Sequence, residues 1–201
     1  MSHNTWIHRL VRPVVKPLVG LPITPNQLTT LRLTFGLSAS VACMVGGQTW
    51  LGIGGALFVV AHLLDRADGI FARLSGKTSR FGHRYDLVSD AISNAIIFVG
   101  IGVGLRDGPL GWWTALLGLV AGLAVLAIVG LVVEVEGREG ERAAELPNMA
   151  GFDPDDGMLA VPVLIWLGLS LPLLYLAASI TPVFAVFFGW KHRRFLRRPL
   201  S

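Results

Sequence analysis

The chain has 201 residues, 53% hydrophobic and only 15% charged, with a formal net charge of +4. A soluble domain usually carries about 25% charged residues. With a mean hydropathy of +0.62, the composition excludes an ordinary soluble enzyme and points to a single membrane domain over residues 1–201, with no room for a second folded unit.

In chain order, residues 1–17 set Trp6, Ile7, Leu10, Val11, Val14 and Val15 among basic residues. That pattern predicts an interfacial amphipathic helix. It lacks the apolar run and small-residue cleavage site of a signal peptide. Residues 25–190 then divide into about six apolar spans, which predicts an all-α, polytopic bundle. The first span runs from Pro25 to about Gly46, with Thr24 as N-cap and Pro25 at the first helical position. The others run from Trp50 to Leu74, Gly82 to Leu105, Leu110 to Val135, Gly157 to Leu169 and Pro172 to about Trp190. The fifth is short, and Pro162 and Pro182 are candidate kinks in the last two. Residues 191–201 form a basic tail suited to anionic lipid. Cys43 is alone, so no internal disulfide is possible, and it reads as a small core residue.

Charge orients the bundle. Six spans put both termini on one side, and that side collects 16 of the 17 Lys and Arg residues, leaving Arg106 on the other. Cytoplasmic loops carry the Lys and Arg excess, so the side holding both termini is expected to be cytoplasmic. The pI of 9.8 is thereby a topology signal. A nucleic-acid reading fails, since the basic residues flank membrane spans and no nucleic-acid motif accompanies them.

Against this apolar background stand Asp65, Asp68, Asp86 and Asp90. Ionisable residues inside membrane segments are costly and mark function by default. Asp65 and Asp68 are spaced i, i+3, with Gly69 and Ala72 on the same helical face; Gly82, Asp86 and Asp90 are spaced i, i+4, i+8. Two helices with those faces opposed would converge four carboxylates on one point. Hard cations such as Mg²⁺ and Mn²⁺ take oxygen ligands of this kind, and four carboxylates suit two ions better than one. The duller reading is ion pairing with Arg66 and Arg73. His62 and His83 flank the cluster and are possible extra ligands, or simply interfacial hydrogen-bonding groups. Gly69, Ala72 and Gly82 leave room for a ligand against backbone, or for close helix packing. Arg73 is placed to meet a phosphate.

The string Asp65-x-x-Asp68-Gly69-x-x-Ala72-Arg73, an eight-residue gap, then Gly82-x3-Asp86-x3-Asp90, resembles the signature of the CDP-alcohol phosphatidyltransferase family at every specified position. Thr24-Pro25-Asn26-Gln27-Leu28-Thr29 is similar to the segment that opens that family's first membrane helix. The resemblance implies transfer of a phosphatidyl group from a CDP-linked donor, most often CDP-diacylglycerol, to a small alcohol, with release of CMP. It implies two divalent cations, Mg²⁺ or Mn²⁺, on Asp65, Asp68, Asp86 and Asp90. Asp90 would also be the general base. Gly69, Ala72, Arg73 and Gly82 would line the donor pocket, joined by Asn26 and Thr29. Arg80, Arg84, Arg138 and Arg142 are available for a phosphorylated acceptor, and Ser79-Arg80-Phe81-Gly82 resembles the stretch in inositol-phosphate-using members. The acidic loop from Glu134 to Asp156 points instead to an amine-bearing alcohol, so the acceptor stays open.

Two rival readings exist. The same motif serves CDP-choline or CDP-ethanolamine donors with diacylglycerol as acceptor. A divalent-cation transporter would also place carboxylates in membrane helices, but it needs polar residues through to the far side, where only Arg106 and Asp107 lie. The resemblance further implies a homodimer. Ala91, Ala95, Gly100, Gly102, Gly104, Gly118, Ala121, Gly122 and Ala124 offer a small-residue seam for it, or for packing within one chain.

Overall fold

The computed structural model describes residues 13, 15–20, 22–139 and 154–193. All regular structure among them is helical: α1 Pro25–Val45, α2 Gly47–Ser75, α3 Arg80–Gly104, α4 Trp113–Glu139, α5 Ala160–Trp166 and α6 Ser170–Lys191. The expected all-α fold is observed. Five of the helices are long and apolar enough to cross a membrane, and the protein is an integral membrane protein.

The predicted fifth span differs. It is a 3-10 segment, Pro154–Leu159, running into the seven-residue α5. At about 2.0 Å and 1.5 Å rise per residue, the two together reach roughly 22 Å, short of a hydrocarbon core of about 30 Å. The apolar run Gly157 to Leu169 contained its own stop: Gly168, at φ +74°, breaks the helix. α5 still carries the chain toward the far ends of the bundle. Gln48 Nε2 donates to Ile165 O at 2.7 Å, and Trp166 Nε1 to Gly52 O at 3.0 Å, both near the start of α2. α6 then returns, so Lys191 ends on the side where α1 begins.

Local signals explain the helix ends. Thr24 N donates to Gln27 Oε1 at 2.8 Å, and Pro25 opens α1. Gly76, at φ +67°, ends α2 in the left-handed conformation that glycine adopts without penalty. At the far side Arg106 Nη1 donates to Met44 O at 2.7 Å and Val103 O at 3.0 Å. It thus covers terminal carbonyls of α1 and α3 at once.

α1 lies along both α2 and α3, which meet each other only sparsely; α3 then packs on α4, and α4 on α6. Small residues set these distances. A Cβ on Gly100 would lie 2.6 Å from Ser40 O, and one on Gly122 2.7 Å from Ala95 O. Gly104 abuts the Cys43 carbonyl, Gly102 that of Thr114 and Gly118 that of Phe98. Ala91, Ala95, Ala121 and Ala124 are buried. The seam offered for a dimer is therefore used inside one chain. Lipid cannot drive helices together hydrophobically, so such close approach is the main source of cohesion. The outward faces are apolar: Val183 is 70% and Val186 74% exposed, as lipid contact requires.

The predicted interfacial helix, the acidic loop and the basic tail fall mostly outside the described residues. Of the first, Val15 is buried against Ala67, Ile70 and Phe71 of α2, and Lys16–Gly20 form a 3-10 turn. Gly122→Val should therefore lower stability by about 1–3 kcal/mol through overpacking. Gly130→Val, with nothing within 4 Å of the added carbon, should leave it nearly unchanged. Thermal denaturation in detergent measures the contrast.

Candidate active site

Three helices bring the charged residues together at the near end of the bundle. α2 supplies Asp65 and Asp68 from its last three turns, α3 supplies Asp86 and Asp90 from its first three, and α1 lies between them. Carboxylate oxygens of Asp65, Asp68 and Asp86 lie within 4.8 Å of one another. The predicted convergence is thus observed for three of the four aspartates. Asp90 is one turn deeper on α3 and joins the cluster through Arg32.

Arg32 is the residue that sequence reading missed. It is 1% exposed, on α1. Its Nη1 donates to Asp65 Oδ1 and lies 3.6 Å from Asp90 Oδ1. Its Nη2 donates to the Asp86 carbonyl at 2.7 Å and lies 3.1 Å from Asp86 Oδ1. One planar guanidinium thus spans both halves of the motif. The carboxylates of α2 and α3 converge as the spacing suggested, and α1 adds what the spacing did not show, a guanidinium that neutralises them. The available signal was a lone arginine within an apolar helix, which the charge tally absorbed as a topology marker.

Neighbouring polar groups hold the cluster. Thr29 Oγ1 donates to Asp68 Oδ2 at 3.0 Å, so Thr29, predicted for donor binding, orients a carboxylate of the cluster. Asn94 Nδ2 donates to Asp90 Oδ2 at 3.0 Å. Asp86 Oδ1 is buried and accepts no well-formed hydrogen bond; it meets the Arg32 guanidinium as an ion pair, 3.1 Å from Nη2, and keeps lone-pair capacity for a further cation. An all-oxygen, carboxylate-rich donor set with such an atom fits a hard divalent cation.

The remaining predicted residues surround this centre. Gly82 is set beside Asn26: a Cβ on Gly82 would lie 3.1 Å from Asn26 Oδ1 and 3.1 Å from Ser79 Oγ. Gly69 carries Arg73 folded over it, with Arg73 Nη2 3.7 Å from the place of a Cβ. Ala72 is half-buried one turn further. Arg80 and Arg84 are exposed on the first turns of α3. The side chain of Arg138 and all of Arg142 lie outside the described residues. His62 packs on Phe58, ring centroids 4.5 Å apart. His83 meets Glu136 of α4 at 3.4 Å. Neither imidazole belongs to the carboxylate group. The transporter reading loses support as well, because the bundle beyond the carboxylates is filled by Ala39, Cys43, Phe58, Ile97 and Ile101.

Residues 22–190 match the family model for CDP-alcohol phosphatidyltransferase. An archaetidylinositol phosphate synthase from Pyrococcus horikoshii is 37% identical over 110 residues, which is 55% of this chain and 55% of that protein. A phosphatidylinositol phosphate synthase from Corynebacterium glutamicum is 29% identical over 161 residues, 76% of this chain and 64% of that protein. The chain thus spans between half and two thirds of the length of these curated relatives. The crystal structure of Mycobacterium tuberculosis phosphatidylinositol phosphate synthase with CDP-DAG bound has a TM-score of 0.70 at 21% identity, covering 96% of this chain and 100% of that one. At that identity the likeness speaks to the fold, and the bundle is the same.

The start of α3 depends on Ser79, whose Oγ accepts from Gly82 N at 2.9 Å. Ser79→Ala should cost about 1 kcal/mol and Ser79→Asp should retain the cap. Both are measurable as shifts in the thermal transition of the detergent-solubilised protein.

Proposed function

The chain belongs to the CDP-alcohol phosphatidyltransferase family, and on that premise we propose that it transfers a phosphatidyl group from CDP-diacylglycerol to the hydroxyl of a small polar alcohol, releasing CMP. The observation that carries this reading is the approach of the Asp65, Asp68 and Asp86 carboxylates to within 4.8 Å, inside the matched motif.

Asp65, Asp68, Asp86 and Asp90 would hold two divalent cations, Mg²⁺ or Mn²⁺. When bound, such ions neutralise charge on the donor diphosphate and on the CMP leaving group. The chain's own groups do the rest. Arg73, lying over Gly69, would pair with donor phosphate. Gly69, Ala72 and Gly82 keep the backbone accessible to the nucleotide, and Asn26 beside Gly82 offers an amide to it. Asp90, oriented by Asn94, would take the proton of the acceptor hydroxyl as its oxygen attacks the lipid-bearing phosphorus. The bond from that phosphorus to the bridging diphosphate oxygen then breaks, and CMP departs.

The relatives named above are inositol phosphate-type synthases, and Arg80 and Arg84 stand exposed at the mouth of the carboxylate cluster. Both features favour a phosphorylated polyol as acceptor over an amine-bearing alcohol. The site would face the cytoplasm, since the order of spans along the sequence assigns 16 of 17 Lys and Arg residues to that side. A homodimer would carry one complete site per subunit, because every residue of the cluster comes from one chain.

The test supplies purified protein with labelled CDP-diacylglycerol, Mn²⁺ or Mg²⁺, and a panel of inositol phosphate, glycerol phosphate, inositol and serine, and follows CMP. Release with a phosphorylated alcohol is expected. Turnover only with CDP-choline and diacylglycerol would overturn the donor assignment. Asp86→Asn should reduce transfer at least 100-fold while the protein still inserts and purifies; near-normal turnover would sink the metal reading. Arg73→Ala should raise the KM for the CDP donor, and Arg80→Ala the KM for the acceptor. Mixing two inactive aspartate variants should restore nothing.

A further inference from the structure

Arg32 has no part in the transfer chemistry above, yet it is 1% exposed and meets three of the four carboxylates. Its Nη1 serves Asp65 and Asp90, and its Nη2 serves Asp86 through both carboxylate and backbone. The Asp65 and Asp86 carboxylates that it holds are two of the three that converge. We propose that Arg32 is a tethered counter-cation of this cluster: it holds Asp65, Asp86 and Asp90 in register between turnovers and competes with the divalent ions for the same oxygens. The inference rests on the metal-site reading of the aspartates.

The physical case is one of charge. Carboxylates this close, in a medium that screens poorly, repel one another strongly. A guanidinium reaches several carboxylates at once through a rigid planar fork, which a lysine ammonium cannot do. It is anchored on a buried stretch of α1, which keeps its charge at the carboxylates. A purely structural arginine and a competing one make opposite demands on metal affinity. Loss of a structural arginine would scatter the ligands and weaken metal binding. Loss of a competing one removes a positive charge and frees an Asp65 oxygen, so metal binding tightens while the metal-free protein becomes less stable.

The experiment measures Mn²⁺ affinity of the full-length, detergent-solubilised protein by electron paramagnetic resonance, together with the thermal transition with and without Mn²⁺. Arg32→Gln should bind Mn²⁺ at least about 10-fold more tightly than the unsubstituted protein. Its metal-free transition should fall, and the rise on adding Mn²⁺ should be larger than for the parent. Equal or weaker Mn²⁺ binding by Arg32→Gln would overturn the proposal. Should that variant not fold, Arg32→Lys keeps the charge but not the fork. It should show a smaller tightening, and equal or weaker binding would again overturn the idea. If the unsubstituted protein binds no Mn²⁺ above its Asp65→Asn, Asp86→Asn double variant, the metal reading itself fails and this inference with it.

Discussion

The near end of this bundle is governed by the repulsion among carboxylates gathered where water is scarce. Four aspartates on two helix faces cannot stay within a few ångströms of each other without positive charge between them. The chain provides it from α1, whose Arg32 is inserted between α2 and α3. Everything local follows from that insertion. α1 must run along both motif helices, and Thr29 one turn earlier falls beside Asp68. Removing one partner of a buried ion pair generally costs about 3–5 kcal/mol, because the other charge stays buried. The site is therefore also a structural joint, and the fold and the chemistry draw on the same side chains.

The far half of the bundle solves the opposite problem. It holds few polar groups, and hydrocarbon solvent gives apolar side chains no reason to prefer one another over lipid. Cohesion has to come from contact distance. Gly36 beside Ser93, Gly54 beside Cys43, and Gly100 beside Ser40 let backbones approach where any side chain would collide. These contacts fix how α1, α2 and α3 splay, and the splay sets how far apart the aspartates sit at the other end. Ser40 Oγ donating to Ile96 O at 2.7 Å ties α1 to α3 midway along that lever.

How much of this was legible in the sequence depended on whether the information was local. The motif spacing placed Asp65 with Asp68 and Asp86 with Asp90 on single faces, and the apolar runs placed the helices that bear them to within a few residues. Thr24, Gln27 and Pro25 marked the start of α1 because capping is decided within one turn. What spacing could not supply was the partner across a helix interface. Periodicity says which face is polar, not what meets it, so two helices face to face was the simplest arrangement and α1 was overlooked. The small residues of α3 and α4 had the same ambiguity: glycine predicts close approach but does not say whether to another helix of the chain or to a second copy. The short fifth span was misjudged for a local reason, since Gly168 and the 3-10 start at Pro154 end an apolar stretch that composition alone would let run on.

The half-height α5 bears on the site through α2. It packs by Pro162 and Trp166 against Gly52 and Gly55, on the part of α2 remote from Asp65. α5 and α2 share a core at Phe58, Val161 and Ile165, whereas Leu63, nearer the motif, is 45% exposed. Among the described residues, Leu63 on the motif-bearing half of α2 thus faces outward, while Asp65 meets Arg32. That asymmetry suits the proposed reaction, whose donor would itself be a lipid: the charged diphosphate would meet the carboxylate end while its acyl chains stayed in the bilayer, with no route through the bundle needed.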